Sequence, residues 1–268
     1  MSALADRRIL VTRAAHQAGK LSDGLRALGA IPVEVPVLEI RPPQDFAPLD
    51  AALRLLDSYH WLILTSANAV HSLVDRAEFL GVALGNSASP QVTPPQVAAV
   101  GESTAAAARK AGLHVAFVPE TYVAESLVAG LLEGIQLQTN GVKILLARAA
   151  VARDVIPDAL REAGVEVDVV DAYRNVLPDA APEQLRQALA ASAEKIDAAT
   201  FTSSSSVTHL AEAARQAGIS WPLPGIPAVS IGPITSQTLI ESGWSPAIEA
   251  HPFDIPGLIA AVQRLLGC

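Results

Sequence analysis

Two stretches of this chain are copies of one another. Arg8–Pro36 (RILVTRAAHQAGKLSDGLRALGAIPVEVP) aligns without gaps on Lys143–Asp171 (KILLARAAVARDVIPDALREAGVEVDVVD) at a constant offset of 135, with ten identities in 29 positions. Arg13 falls on Arg148, Leu25 on Leu160 and Gly29 on Gly164. The correspondence continues, Trp61–Val70 matching Ala198–Val207 at 137 and Val97–Gly112 matching Ala228–Gly243 at 131. Glu125-Ser126-Leu127 then answers Pro256-Gly257-Leu258 at the same 131. Four collinear blocks exclude chance. The drift of a few residues is what loop insertions leave, and the Ser/Pro/Gly-rich run Gly85–Pro95 is the evident insertion. A duplicated chain of 268 residues predicts two related lobes of about 130 residues each. A two-lobed protein most often takes its ligand in the cleft between the lobes.

Within each copy, short apolar runs alternate with amphipathic stretches. Ile9–Thr12, Pro32–Val37, Trp61–Leu64, Val97–Val100 and Val115–Val118 are expected strands. Gln17–Leu28, Leu49–Leu56, Asn68 to about Leu80, Thr104–Ala111 and Ala124–Leu132 are expected helices, with Gly29 and Gly112 as stops. Such alternation implies parallel sheets covered by helices on both faces, and right-handed crossovers make a doubly wound α/β fold the default. Two proline-bearing extended stretches occupy equivalent positions, Val35–Pro43 and Val170–Pro178. If both are linkers, the middle of the chain forms one lobe and the two ends join to form the other. The repeat is equally compatible with sequential halves.

Half the residues are apolar but only 4% are aromatic, so the cores are built from Ala, Val, Leu and Ile. A net charge of −8 argues against a nucleic-acid or anionic-membrane surface while leaving room for a local basic site. One cysteine, Cys268, provides neither a disulfide framework nor a metal site. The six histidines (His16, His60, His71, His114, His209, His251) lack metal-ligand spacing, so no metal is expected. No Gly-x-Gly-x-x-Gly follows a strand, no glycine–lysine phosphate loop is present, and Ser204 is not in a hydrolase elbow. The N-terminus lacks a signal-like apolar stretch and no apolar run reaches membrane-spanning length, so a soluble cytoplasmic protein is expected.

Chemistry in open parallel sheets collects at the carboxyl ends of strands and at the helix starts that follow. Three kinds of junction recur there: Thr12-Arg13 with Arg148; Thr65-Ser66-Ala67-Asn68 with Thr202-Ser203-Ser204-Ser205-Ser206; and Gly101-Glu102-Ser103-Thr104 with Gly232-Pro233-Ile234-Thr235. Small hydroxylic residues and glycine leave backbone N–H groups open to carboxylate or phosphate, and arginine adds a forked cationic donor. Each Ser or Thr is equally an ordinary N-cap, worth about 1 kcal/mol. The candidate anion-holding residues are therefore Arg13, Ser66, Asn68, Gly101, Thr104, Arg148, Thr202, Ser203, Ser204, Gly232 and Thr235. Tyr173 breaks the repeat, because Leu38 stands at its position in the first copy. On an interlobe strand it would face the cleft and offer a proton to a leaving group, or else it packs. Tyr122 is a weaker candidate of the same kind.

The ordered set VTRA, LTSANAV, AVGESTAAAARKAG, VPETYVAESL, ILLARAAVARDVIPDALREAGVEVDVVDAYR, FTSSSSV and SIGPITSQTLIESG resembles the bacterial uroporphyrinogen-III synthase family over nearly the whole chain. The resemblance implies two doubly wound parallel-sheet lobes with an interleaved chain. Residues 1–37 and 175–268 would form one lobe and 42–170 the other, with 38–41 and 171–174 as extended linkers. It implies no cofactor and no metal. It implies a small-molecule substrate, hydroxymethylbilane, whose terminal hydroxyl is lost as the last pyrrole ring inverts and the macrocycle closes. Tyr173 matches the family's proposed proton donor and Thr104 its implicated threonine, while Ser66, Ser203 and Thr235 match its hydroxyl contacts. The sequence departs from the pattern at Arg148, which lies in LLARA rather than VTRA, and in the run of four serines. A monomer is expected, with a possible hand-off from the preceding bilane-forming enzyme and no nucleic-acid or membrane partner. Two other classes compete: a non-catalytic bilobal cytoplasmic binder of a small anionic ligand, and a tetrapyrrole-sensing regulator, which no DNA-binding helix pair supports.

Overall fold

The computed structural model describes residues 3–84, 93–121, 123–135, 141–190 and 195–267. Tyr122, Cys268, the side chain of His16 and most of the Gly85–Pro95 insertion lie outside the described residues. In chain order the elements are β1 (Arg8–Val11), α1 (Ala15–Ala27), β2 (Ile31–Glu34), β3 (Glu39–Arg41), α2 (Ala47–Arg54) and a 3-10 turn at Leu56–Ser58. There follow β4 (Trp61–Leu64), α3 (Ala67–Leu80), β5 (Gln96–Ala99), α4 (Glu102–Lys110), β6 (Val115–Phe117) and α5 (Ala124–Ile135). The second copy supplies β7 (Lys143–Ala149), α6 (Val155–Glu162), β8 (Glu166–Val176) and α7 (Ala181–Ala190). It ends with β9 (Ala198–Phe201), α8 (Ser204–Ala217), β10 (Ala228–Ser230), α9 (Pro233–Glu241), β11 (Ile248–Glu249) and α10 (Ile255–Leu266).

The strands form two sheets, of order β11-β10-β9-β1-β2 and β3-β8-β7-β4-β5-β6. Backbone contacts divide the chain accordingly, one unit holding Met1–Glu39 with Val176–Cys268 and the other Ile40–Asn175. Laid on the repeat, the two orders are the same apart from the extra edge strand β3, because β1 answers β7, β2 answers β8, and β9, β10 and β11 answer β4, β5 and β6. Each unit thus takes its β-α-β opening from one copy and its remaining strands from the other, three in the first unit and, with β3, four in the second. The stretches expected as linkers are strands: β3 is the edge neighbour of β8, and β8 runs unbroken through 171–174.

Successive residues of the central strands face opposite sides, as the pleat requires. Leu62 and Leu64 of β4 enter the layer under α2 and α3, and Ile63 enters the layer under α5 and α6. In the first unit Leu10 faces α7 and α8, and Ile9 and Val11 face α1 and α10. All of these are fully buried, and each contributes about 1.5–3 kcal/mol by leaving water. The expected helix stops are turns at positive φ, 83° at Gly29 and 79° at Gly112, which only glycine takes without strain. Helix α4 begins two residues earlier than expected. Gly101 is its N-cap in extended conformation, and its carbonyl accepts from the N–H groups of Thr104 and Ala105, both at 3.0 Å. Thr104 is therefore inside the first turn and buried.

Candidate active site

In both sheets the inner strands run parallel, so their carboxyl ends lie on one edge. In the first unit that edge receives Thr12-Arg13 from β1, Thr202-Ser203 from β9 and Gly232 from β10, on neighbouring strands. Thr12 is wholly buried and structural: its hydroxyl donates to the Thr200 carbonyl at 2.8 Å, and the Thr200 hydroxyl donates to Leu10 O at 2.9 Å, stapling β1 to β9. Arg13 follows it, half-buried, and burial holds its guanidinium below the ordinary arginine value. Ser203 caps α8 through a reciprocal box. The Ser206 N–H donates to Ser203 Oγ at 3.2 Å, and the Ser203 N–H donates to Ser206 Oγ at 3.3 Å. The Ser206 hydroxyl then donates to the Ser203 carbonyl at 2.6 Å. Ser204 lies 2.7 Å from the Thr238 hydroxyl. Since Thr238 donates to Ile234 O, Ser204 is the donor that ties α8 to α9. Thr202 is half-buried beside this cap. Gly232 caps α9 in extended conformation, with Pro233 at the first helical position and Thr235 buried in the first turn.

The second unit repeats the arrangement with different side chains. Ser66 (from β4), Gly101 (from β5) and Arg148 (in β7) occupy adjacent strand ends. Ser66 caps α3 by accepting from the Ala69 N–H at 3.1 Å, and Asn68 is half-buried in the same first turn. Arg148 is engaged locally. Its Nη2 donates to Asp154 Oδ1 at 2.6 Å and its Nη1 to the Arg153 carbonyl at 2.9 Å. Its Nε is buried and makes no hydrogen bond among the described residues.

Tyr173 reaches this edge because β8 bulges. The register pairs Arg148 with Asp171 but Ala149 with Tyr173, so one extra residue is inserted on β8. A regular strand would turn Tyr173 away from Ala172 and Val170. The bulge returns it to their face, and Val170, Ala172 and Tyr173 pack in one apolar cluster with Ala149. Tyr173 is only 6% exposed. Its ring extends from β8 across β7, and its hydroxyl lies 3.1 Å from Ser66 Oγ at the end of β4. Two strand spacings, about 10 Å, are bridged this way, and the small Ala149 underneath makes room. The sequence singled out both residues but not their pairing. The signal for it was present: Tyr173 replaces Leu38, and Ala69 replaces Ser206, at matching repeat positions.

At the opposite, amino edge of the second sheet, Tyr59 donates to Asp168 Oδ2 at 2.6 Å, and Lys143 Nζ lies 3.1 Å from both Asp168 and Glu166. Burial first, then the Asp168 carboxylate, pushes the Tyr59 phenol up to about 12. The Tyr59 hydrogen bond, and after it the Lys143 ammonium, holds Asp168 below the usual carboxylate range against its own burial. A cavity of about 370 Å³ opens beside this cluster, lined by Tyr59, His60, Trp61 and Gln96 among others. A second, of about 320 Å³, lies at Ile40, Phe46, Arg76 and Phe79. Neither includes a junction at the carboxyl edge. The first is walled by residues around the starts of β4 and β5, and the second by β3, Pro42, Pro43, the flanks of α2 and α3, and Ala172 of β8. Among the described residues no three His, Cys, Asp or Glu side chains group as metal ligands, and no helix is long and apolar enough to cross a membrane.

Fold and site together define a duplicated, doubly wound α/β protein whose carboxyl sheet edges carry polar strand–helix junctions. The family model described as uroporphyrinogen-III synthase HemD matches residues 19–260, and the chain belongs to that family. The uroporphyrinogen-III synthase of Synechococcus elongatus is 33% identical over 97% of this chain and 96% of its own length. That of Chlorobaculum parvum is 27% identical over 96% and 98%. Among solved structures, a mutant uroporphyrinogen III synthase from Thermus thermophilus superposes with TM-score 0.64 at 21% identity, covering 97% of this chain and 98% of that one. The Helicobacter pylori enzyme gives 0.58 at 19%, covering 97% and 99%.

Proposed function

We propose that this protein cyclises hydroxymethylbilane to uroporphyrinogen III, with inversion of the last pyrrole ring and loss of water, in tetrapyrrole (haem-type) biosynthesis. Family membership across residues 19–260 carries this reading. The site chemistry agrees with it. The substrate bears eight carboxylates, and each unit offers capped helix starts and an arginine at one sheet edge. The binder alternative accounts for the anion-holding junctions but not for a phenol hydrogen-bonded at one of them.

In this reading Arg13, Arg148, Asn68, the backbone N–H groups of the helix starts at Ser66, Gly101, Ser204 and Gly232, and the hydroxyls of Thr202, Ser203 and Thr235 gather carboxylates, and Thr104 and Tyr173 serve the chemistry. Departure of the terminal hydroxyl breaks a C–O bond. A proton from Tyr173 makes the leaving group water, and the pyrrole nitrogens carry the cation that remains. The ring carbon then attacks to form the spiro geometry from which inversion proceeds. The proton released when the macrocycle closes and the ring regains aromaticity returns to the phenolate, so no net acid or base is consumed. Catalysis of this kind rests on holding one geometry, which asks for few protein acids or bases. The domain reading that goes with it is 1–37 with 175–268, and 42–170, joined through 38–41 and 171–174. The clustering of backbone contacts, which divides the chain after Glu39 and after Asn175, supports it. The duplication places two units in one chain, which supports a monomer. Action in the cytoplasm, directly after the bilane-forming enzyme, suits a substrate that closes spontaneously when left alone.

Purified protein incubated with hydroxymethylbilane, with the products oxidised and separated by isomer, decides the matter. The type III macrocycle is the expected product. Formation of the symmetrical type I isomer alone, at the rate seen without protein, would overturn the assignment.

A further inference from the structure

The two copies of the cap motif form an internal control. Ser66 and Ser203 have nearly the same backbone, φ −157° and ψ 157° against φ −168° and ψ 160°. Each accepts from the N–H three residues on. They differ in what surrounds them. In the first unit Ser206 closes the capping box, and Leu38 stands at the tyrosine's position within the apolar layer. In the second unit residue 69 is alanine, so no box forms, and the Tyr173 hydroxyl takes the remaining place on Ser66. Both departures from the repeat fall on one pair of atoms.

The proton count at that pair is restrictive. Ser66 Oγ has one hydrogen and two lone pairs, and one lone pair is used by the Ala69 N–H. Tyr173 has a single proton. If that proton is spent on a leaving group, the phenol oxygen must be the acceptor from Ser66. We infer that Ser66 is a positioning residue for the Tyr173 phenol. Its hydroxyl donates to the phenol oxygen, leaves the phenol proton unspent on Ser66, and links the oxygen to the N-terminal end of α3 through Ala69 N–H. The link matters at the moment of transfer. Negative charge growing on the phenol oxygen meets a hydrogen-bond donor polarised by the positive end of a helix of 14 residues. The inference rests on the proposed reaction for its purpose, but the hydrogen bond itself can be read without substrate.

The test uses Ser66→Ala, Ser66→Thr and Tyr173→Phe in the full chain. Asp254→Ala serves as the control for loss of a helix cap, since Asp254 caps α10 by accepting from Gly257 N–H at 2.7 Å. The first readout is the tyrosine Fermi-doublet ratio in ultraviolet resonance Raman spectra without substrate. The Tyr173 contribution is isolated as the difference from Tyr173→Phe. An accepting phenol is expected in the parent, lost in Ser66→Ala and retained in Ser66→Thr. The second readout is kinetic. Ser66→Ala is expected to lower kcat by about 10- to 100-fold, part of what a positioned acid supplies, with KM within about twofold and recovery in Ser66→Thr. A Tyr173 doublet unchanged in Ser66→Ala overturns the inference. So does a Ser66→Ala protein that only melts earlier, as Asp254→Ala does, at full kcat. If the parent makes no type III isomer, the reaction assignment fails, and the Raman result alone decides whether Ser66 orients the phenol.

Discussion

Tyr173→Phe separates packing from chemistry because the structure makes the two effects unequal. The ring is buried among Val170, Ala172 and Ala149, and phenylalanine keeps all of that contact. What is lost is one hydroxyl and its 3.1 Å hydrogen bond to Ser66. Ser66 still accepts from Ala69 N–H, and the hydroxyl proton it no longer gives to the phenol belongs to a half-buried side chain that water can reach. The net cost to the fold is that of one hydrogen bond, about 1 kcal/mol, which lowers Tm by about 2–4 °C for a chain of this size. Loss of a positioned proton donor costs about 100-fold or more in turnover, equivalent to about 3 kcal/mol of barrier. Turnover should therefore fall by more than the fold weakens, while affinity for uroporphyrinogen III stays within about threefold. The assay is isomer-resolved product formation alongside a calorimetric scan and product titration. Equal losses in turnover and product binding would reduce Tyr173 to a packing residue. Parent-like turnover would remove it from the reaction altogether.

Other outcomes follow from the same geometry. Arg148→Ala should raise KM by about tenfold, the worth of one charge-assisted contact to a carboxylate, with kcat little changed; an unaltered KM in steady-state kinetics would leave Arg148 as a brace for the Arg153–Asp154 loop only. Gly257→Ala should destabilise by about 3 kcal/mol, the upper end for overpacking. Its new Cβ would lie 1.9 Å from the Pro252 carbonyl oxygen, a backbone atom that cannot swing away, and urea unfolding at parent-like midpoint would contradict this. Asp168→Asn tests the amino-edge cluster by pH. A carboxyl held low in the folded state adds stability above its unfolded value near ~3.9 and loses it as pH falls through the folded one. With the Asp168 side chain 43% exposed, screening reduces the gain to about 1 kcal/mol. The variant should thus be weaker than the parent at neutral pH and match it once the pH has fallen below the lowered value of the folded carboxyl; a gap that persists in acid would mean that lost packing, not charge, is responsible.

Much of the architecture was legible because the repeat is a physical constraint on the chain. Equal spacing of apolar runs in both copies produced equal strand orders, and Gly29 and Gly112 stopped helices where a positive φ was needed. The junction residues were legible as a class, since Ser66 and Ser203 do cap helices at strand ends. Their individual partners were not. Ser204 turns to Thr238, and Arg148 turns to Asp154. Those choices depend on where a neighbouring helix or loop comes to rest, which spacing along the chain does not encode.

The sequence by itself determined that there are two copies, that each carries the strand–helix alternation of parallel α/β layers, and that hydroxyls, glycines and arginines gather at the strand ends. Local hydrophobic period and cap chemistry are enough for that, because they act over short stretches of chain. Only the tertiary structure decided which pieces share a sheet, β1 with β9 and β7 with β4, since strand pairing is a long-range choice. It also decided the fate of Tyr173. One extra residue in β8 opposite Ala149 reverses the face of everything beyond it. That single shift of register carries a phenol from the wrong side of the sheet onto the cap of α3.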